Sequence, residues 1–175
     1  MVDSVEEELA LMDERAEGPP ALSAEVFQRP IEQLFSKRAL GVDVGATVGE
    51  AVALMRDKGY GSVVVTRDGK LAGIFTERDL MTRVIGTIPD FEKTPIADVM
   101  TANPVSLRKE DAIIHVAHHM HVGGYRHLPI VDENDVPVSI VSIKDVVRYI
   151  MNCFPDSVIN VPAVPYRGVD SRDGG

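Results

Sequence analysis

Thr47 to Asp79 reads "TVGEAVALMRDKGYGSVVVTRDGKLAGIFTERD", and Ala112 to Asp145 reads "AIIHVAHHMHVGGYRHLPIVDENDVPVSIVSIKD". In the first stretch apolar residues fall at Val48, Ala51, Val52 and Met55; in the second they fall at Ile113, Val116, Ala117 and Met120. Both sets follow the i, i+3, i+4, i+7 pattern of a helix with one apolar face. Each member of the second set lies 65 positions after its counterpart, as do Gly124 after Gly59 and Tyr125 after Tyr60. A strand follows each Gly-Tyr, "SVVVT" and "HLPIVD", then a turn, "RDGK" and "ENDV", then a second strand, "LAGIF" and "VPVSIV". Asp-Gly is a hairpin signal. Another helix then begins, "TERDLMTRVI" and "SIKDVVRYIM".

A period this long is a duplication rather than a solenoid. A short lead-in strand is expected near "LGVDV" and "PVSL". One such unit is too small to bury its own elements well. The expected fold is therefore mixed α/β (α+β), with two β-α-β-β-α repeats packed about a pseudo-twofold axis. The expected organisation is an acidic arm and short helix over 1–36, repeats over 37–95 and 96–154, and an extended tail over 155–175.

"GIFTERD", Gly73 to Asp79, carries the chemistry. Thr76 followed three residues later by Asp79 is the spacing of a capping box, in which hydroxyl and carboxylate satisfy backbone N–H groups at the helix start. Taken once, it reads as a cap. It occurs twice, however, as Thr76–Asp79 and as Ser142–Asp145, each where a strand hands over to a helix. Such junctions expose backbone donors and are common ligand positions. A carboxylate there can accept both hydroxyls of a ribose while it caps, because it has several acceptor positions. Arg126 and His127 stand together in "GYRHLP" and suit a phosphate. The first repeat has Gly61 and Ser62 there, so any anion contact is unequal between the copies.

The doubled unit resembles a tandem pair of cystathionine-beta-synthase (CBS) domains, a Bateman module, over about residues 38 to 152. "GIFTERD" is similar to the ribose motif of that family, and "PVSIVSIKD" is a second copy with Ser139 in place of Gly. "VMTANPVSL" and "GYRHLPIVD" are similar to other family segments. The resemblance implies a non-catalytic, regulatory and energy-sensing module with ligand clefts between the repeats. The implied ligands contain adenosine: AMP, ADP, ATP or S-adenosylmethionine. It implies Thr76 and Asp79 on the ribose in one cleft, and Ser142 and Asp145 in the other. It implies Arg126 and His127 on phosphate across the axis from Asp79, with Val42 and Val105 near the base. It further implies a homodimer and, since no enzyme or channel domain accompanies the pair in this sequence, a separate protein effector. The alternative is a ligand-free scaffold acting through dimerisation and its termini.

Composition narrows the rest. The net charge of −9 opposes general binding to nucleic acid. Seven acids against Arg15 over residues 1–20 supply much of that charge. Cys153 is the only cysteine, which excludes an internal disulfide and a cysteine zinc site. The acidic N-terminus differs from a signal peptide and no run is long enough to span a membrane, so the expectation is a cytoplasmic protein. His115, His118 and His119 share a helix face, but no carboxylate or cysteine converges on them in sequence, so no metal site is expected. No nucleophile, P-loop or dinucleotide motif is present, and no enzyme is expected.

Overall fold

A computed structural model describes residues 24–153. The expected arm over 1–20 and tail over 155–175 lie outside the described residues. The chain enters through a short helix α1 (Ala24–Phe27) and a 3-10 turn (Ile31–Leu34). The first repeat follows as β1 (Gly41–Asp43), α2 (Val48–Lys58), β2 (Ser62–Arg67), β3 (Lys70–Thr76) and α3 (Glu77–Asp79). A second 3-10 turn (Ile96–Asp98) leads to β4 (Thr101–Ala102). The second repeat is β5 (Leu107–Arg108), α4 (Ile113–Gly123), β6 (His127–Val131), β7 (Pro137–Ser142) and α5 (Ile143–Cys153).

The two sheets repeat one plan. β1 runs parallel to β2 and β2 antiparallel to β3; likewise β5 runs parallel to β6 and β6 antiparallel to β7. Even the irregularity is copied, with the register shifting between Val65 and Thr66 and again between Ile130 and Val131. The first hairpin turns on Asp68 and Gly69, both at positive φ (52° and 79°), as a tight primed turn requires. The longer second turn is held instead by Asp132, whose Oδ1 accepts from the N–H groups of Asn134 and Val136 at 2.9 Å each.

The helix that follows β3 departs from expectation. Only Glu77–Asp79 is α-helical; Leu80–Val84 forms a wider π turn. It closes where Ile85 N–H donates to Leu80 C=O at 2.9 Å, and Gly86 follows at a φ of +77°. The Thr82 hydroxyl donates back to Arg78 C=O at 2.8 Å, a competing bond that loosens the regular ladder. The corresponding α5 has no such interruption and runs for 11 residues.

The apolar stripes read from sequence are the inner faces of their helices. Val48, Ala51 and Met55 pack with Val63, Val65 and Phe75 in one core; Ile113, Val116 and Met120 pack with Leu128, Ile130 and Val141 in the other. Each core is completed by the other repeat's entry turn. Ile31 and Leu34, which precede the first repeat, are buried in the second core, while Ile96 and Val99 are buried in the first. Matching hydrogen bonds fix the exchange: Ile31 N–H to Asp111 C=O and Ile96 N–H to Ala46 C=O, both at 2.9 Å. Ile113 N–H to Arg29 C=O and Val48 N–H to Thr94 C=O, again at 2.9 Å, complete it. These pairs keep the 65-residue offset. The duplication therefore extends upstream to "RPIEQLFS" and "TPIADVMT", and the exchange makes the two repeats interdependent.

Candidate functional site

Both carboxylates singled out by sequence are buried, each at 7% exposure, at the first turn of a helix. In the first repeat Asp79 Oδ2 accepts from Thr76 N–H at 3.0 Å and from the Thr76 hydroxyl at 2.7 Å. Asp79 N–H in turn donates to Thr76 Oγ1 at 3.3 Å. In the second repeat Asp145 Oδ2 accepts from Ser142 N–H at 2.8 Å and from the Ser142 hydroxyl at 2.6 Å. The cap is thus built twice on the same oxygen, which leaves Oδ1 of each acid directed elsewhere.

The Oδ1 atoms differ. Among the described residues Asp79 Oδ1 meets only the Nε of Arg83, at 3.4 Å. Arg83 is itself held by the carbonyls of Val99 and Met100 at 2.9 and 3.0 Å. Asp145 Oδ1 accepts from the Ser36 hydroxyl at 2.8 Å and from Arg148 at 2.9 Å. Burial alone would raise the Asp145 pKa, but bonds from Ser142, Ser36 and Arg148 outweigh it and hold the group below its ordinary value. Asp145 is anionic at neutral pH and its near donors come from the protein, whereas Asp79 keeps an oxygen with a single, long contact.

Arg126 and His127 lie where the repeats meet. His127 is the strand partner of Ser142 in β6–β7. It also faces the first repeat, since a Cβ added at Gly61 would lie 3.4 Å from His127 Nε2 and 3.2 Å from Glu77 Oε2. Arg78 donates to Gly124 C=O at 3.3 Å across the same seam. The His127 pKa is lowered by burial, a loss that the nearby carboxylates of Glu77 and Asp145 only partly offset and that Arg126 and Arg78 reinforce. The structure thus places His127 beside Glu77 of the first repeat and near Asp145 of the second, with Arg126 exposed next to it. Gly61, the counterpart of Arg126, leaves space there, since any side chain would crowd Glu77 and His127.

Ser139 also has a specific place. Its counterpart, Gly73, packs so tightly that a Cβ would run into Met100 Sδ. Ser139 is buried, at 1% exposure, and its hydroxyl donates to Lys37 C=O at 2.9 Å. Val42 is half-buried and Val105 exposed. Two cavities of about 220 Å³ lie elsewhere, and neither is lined by Asp79, Asp145, Arg126 or His127. One lies between α2 and α3, beside Met55, Tyr60, Glu77 and Leu80. The other lies between the two hairpins, beside Lys70, Asn103, Ser106 and Asp135. Among the described residues no group of three or more His, Cys, Asp or Glu could hold a metal, and no helix is long and apolar enough to cross a membrane.

Sequence reasoning missed Ser36, Arg83 and Arg148. Ser36 had a signal: it lies 65 residues before Thr101, so a repeat traced further upstream includes it. The two arginines had one as well, since Arg83 stands at i+4 from Asp79 and Arg148 at i+3 from Asp145, the spacings at which side chains meet on a helix.

Comparison with known proteins agrees with the fold. A family model described as CBS domain matches residues 31–86 and 96–152. The CBS domain-containing protein CBSCBSPB1 of Arabidopsis thaliana is 28% identical over 142 residues, 81% of this chain and 25% of the plant protein. The chain thus spans about a quarter of that relative's length. The CBS domain-containing protein YhcV of Bacillus subtilis is 32% identical over 119 residues, covering 66% of this chain and 81% of YhcV. Among solved structures, the CBS-domain protein ATU1752 of Agrobacterium tumefaciens is 32% identical with a TM-score of 0.61, covering 68% of this chain and 97% of that one. PAE2072 of Pyrobaculum aerophilum, solved complexed with AMP, is 20% identical with a TM-score of 0.63, covering 74% and 95%. The CBS domain pair of protein MJ0100, solved with 5′-methylthioadenosine and S-adenosyl-L-methionine, is 22% identical with a TM-score of 0.63, covering 71% and 97%.

Proposed function

The chain belongs to the CBS-domain family, with two copies at 31–86 and 96–152, and on that premise we propose that it is a non-catalytic regulatory module that binds an adenosine-containing ligand. The ligand is AMP, ADP, ATP or S-adenosylmethionine. The observation that carries this reading is the doubled buried carboxylate: Asp79 and Asp145 each cap a helix with one oxygen, while the other meets an arginine on the same helix, Arg83 or Arg148. Thr76 and Asp79 hold the two ribose hydroxyls in the first cleft, and Ser142 and Asp145 do so in the second. Arg126 and His127 contact the phosphate from the seam; the guanidinium supplies a fork and the imidazole a second donor. AMP in PAE2072 and the adenosine compounds in MJ0100 support this ligand class. The unequal Oδ1 environments favour Asp79 as the first site filled.

The module pairs with a second copy of itself through α5. Ile143, Val147 and Met151 recur at i, i+4 and i+8 and are 45%, 48% and 44% exposed, an apolar stripe left open among the described residues. A separate protein effector reads the ligand state. Mass spectrometry of small molecules released from the denatured protein, with thermal unfolding in AMP, ATP and S-adenosylmethionine, tests the reading. An adenosine compound released on denaturation, or a melting temperature that rises with ligand concentration, is expected. No release and no shift with any of them would refute it.

A further inference from the structure

The first repeat lacks the Arg126–His127 pair, yet a cation reaches its vacant corner from another segment. Ser36 and Lys37 run along the edge of the second repeat just before β1. Three contacts place them: the Ser36 hydroxyl on Asp145 Oδ1 at 2.8 Å, the Ser139 hydroxyl on Lys37 C=O at 2.9 Å, and Ala39 N–H on Val138 C=O at 3.2 Å. From there the Lys37 ammonium lies 4.4 Å above the centre of the Tyr60 ring. Tyr60 immediately precedes Gly61 and Ser62, the positions that match Arg126 and His127. Among the described residues no carboxylate pairs with Lys37. Its counterpart 65 residues on is Ala102, so the first cleft has no such cation.

We propose that Lys37 is the phosphate-recognising cation of the Asp145 cleft, taking over from the entry segment the part that Arg126 and His127 play for the Asp79 cleft. The inference rests on the nucleotide reading above and adds a residue and a selectivity to it. A ring face holds an exposed ammonium weakly, so the Lys37 charge can transfer to a phosphate without breaking a strong pair. Ser36 gives up Asp145 Oδ1 to the ribose hydroxyls in the same movement, since both residues belong to one segment. An ammonium is a point charge where a guanidinium is a fork. The second cleft therefore prefers a charged nucleotide over the bare nucleoside, with less demand on phosphate orientation than the first.

Calorimetric titration of the full chain with AMP and with adenosine tests this. In an Asp79→Ala background, where only the Asp145 cleft remains, AMP should bind more tightly than adenosine. Adding Lys37→Gln should weaken AMP about tenfold, the loss of one charge-assisted contact, and leave adenosine unchanged. Lys37→Arg should restore most of the AMP affinity. Unchanged adenosine binding also shows that the doubly substituted protein is folded. Equal losses for AMP and adenosine, or no loss for either, would overturn the role of Lys37 while leaving the nucleotide reading intact, as would an Asp79→Ala protein that binds no AMP when the unsubstituted chain does. Failure of the unsubstituted chain to bind either compound removes both readings.

Discussion

The two repeats share one backbone plan and handle one junction differently. In the first, the entry segment of the other repeat joins the sheet as a strand: Gly73 pairs with Ala102 and Ile74 with Thr101. That close approach is possible because Gly73 has no side chain to meet Met100. In the second, Ser139 occupies the matching position, and its hydroxyl bonds Lys37 C=O while the Ser36 hydroxyl bonds Asp145. One entry segment is held by strand pairing and leaves its acid with a single long contact. The other is held largely by hydroxyls and occupies its acid. The same fold therefore presents one acid whose second oxygen meets a single long contact and one whose second oxygen is held by two protein donors.

The largest test of that contrast is the pair Asp79→Ala and Asp145→Ala. Each should lose about a hundredfold in AMP affinity at its own cleft, the equivalent of two hydrogen bonds to a charged group, and little at the other. Calorimetry resolves this, and the high-affinity phase should vanish with Asp79→Ala. If it vanishes with Asp145→Ala instead, the order of the two clefts is reversed.

Substitutions at Gly73 and Ser139 come next. Gly73→Ser should destabilise the protein by about 1–3 kcal/mol, because a side chain must displace Met100 and the strand beside it. Ser139→Ala should cost about 1 kcal/mol, the worth of one hydrogen bond. Urea unfolding measures both, and a larger loss for Ser139→Ala would break the distinction between strand-held and hydroxyl-held segments.

Ser36→Ala sharpens it further. Removing the hydroxyl frees Asp145 Oδ1 of one donor, so AMP affinity at the second cleft should rise a few-fold while stability falls by about 1 kcal/mol. Opposite signs in titration and unfolding identify Ser36 as a group the ligand displaces; weakening of both would make it a simple support.

The smallest effect is at the seam. His127 has a pKa below 6.5 in the folded protein, so the unfolded chain binds its proton more readily. Stability from keeping the imidazole neutral is complete above about pH 6.5 and is lost as pH falls through the folded-state value. Chemical unfolding of the ligand-free protein between pH 7.5 and about 5 should show that decline, and His127→Asn should flatten it. A slope unchanged by the substitution would assign the decline to another group.

Much of this was legible beforehand because the signals are local. Helical spacing of Val48, Ala51 and Met55, the Asp-Gly hairpin and the hydroxyl-to-acid spacing at Thr76 and Ser142 each act within a few residues. They were placed from sequence and stand in the structure. The Thr47–Glu50 capping box on α2 carries the same local signal, with its bonds present at 3.2 and 2.7 Å. The π turn after Asp79 was not legible, because Leu80 to Val84 have ordinary helical composition and only the bond of Thr82 back to Arg78 and those of Arg83 to the distant carbonyls of Val99 and Met100 show why the turn widens.

The sequence by itself determined the duplication, the strand and hairpin plan, and the two acidic helix starts, since periodicity and turn chemistry are properties of neighbouring residues. Only the tertiary structure decided that each core is closed by the other repeat's entry turn, that Gly61 yields space to His127, and that Ser36 and Lys37 reach Asp145 and Tyr60. Those contacts join residues far apart in the chain or on opposite sides of the pseudo-twofold axis. Their partners are chosen by how two half-folds dock, and no spacing within either half encodes that choice.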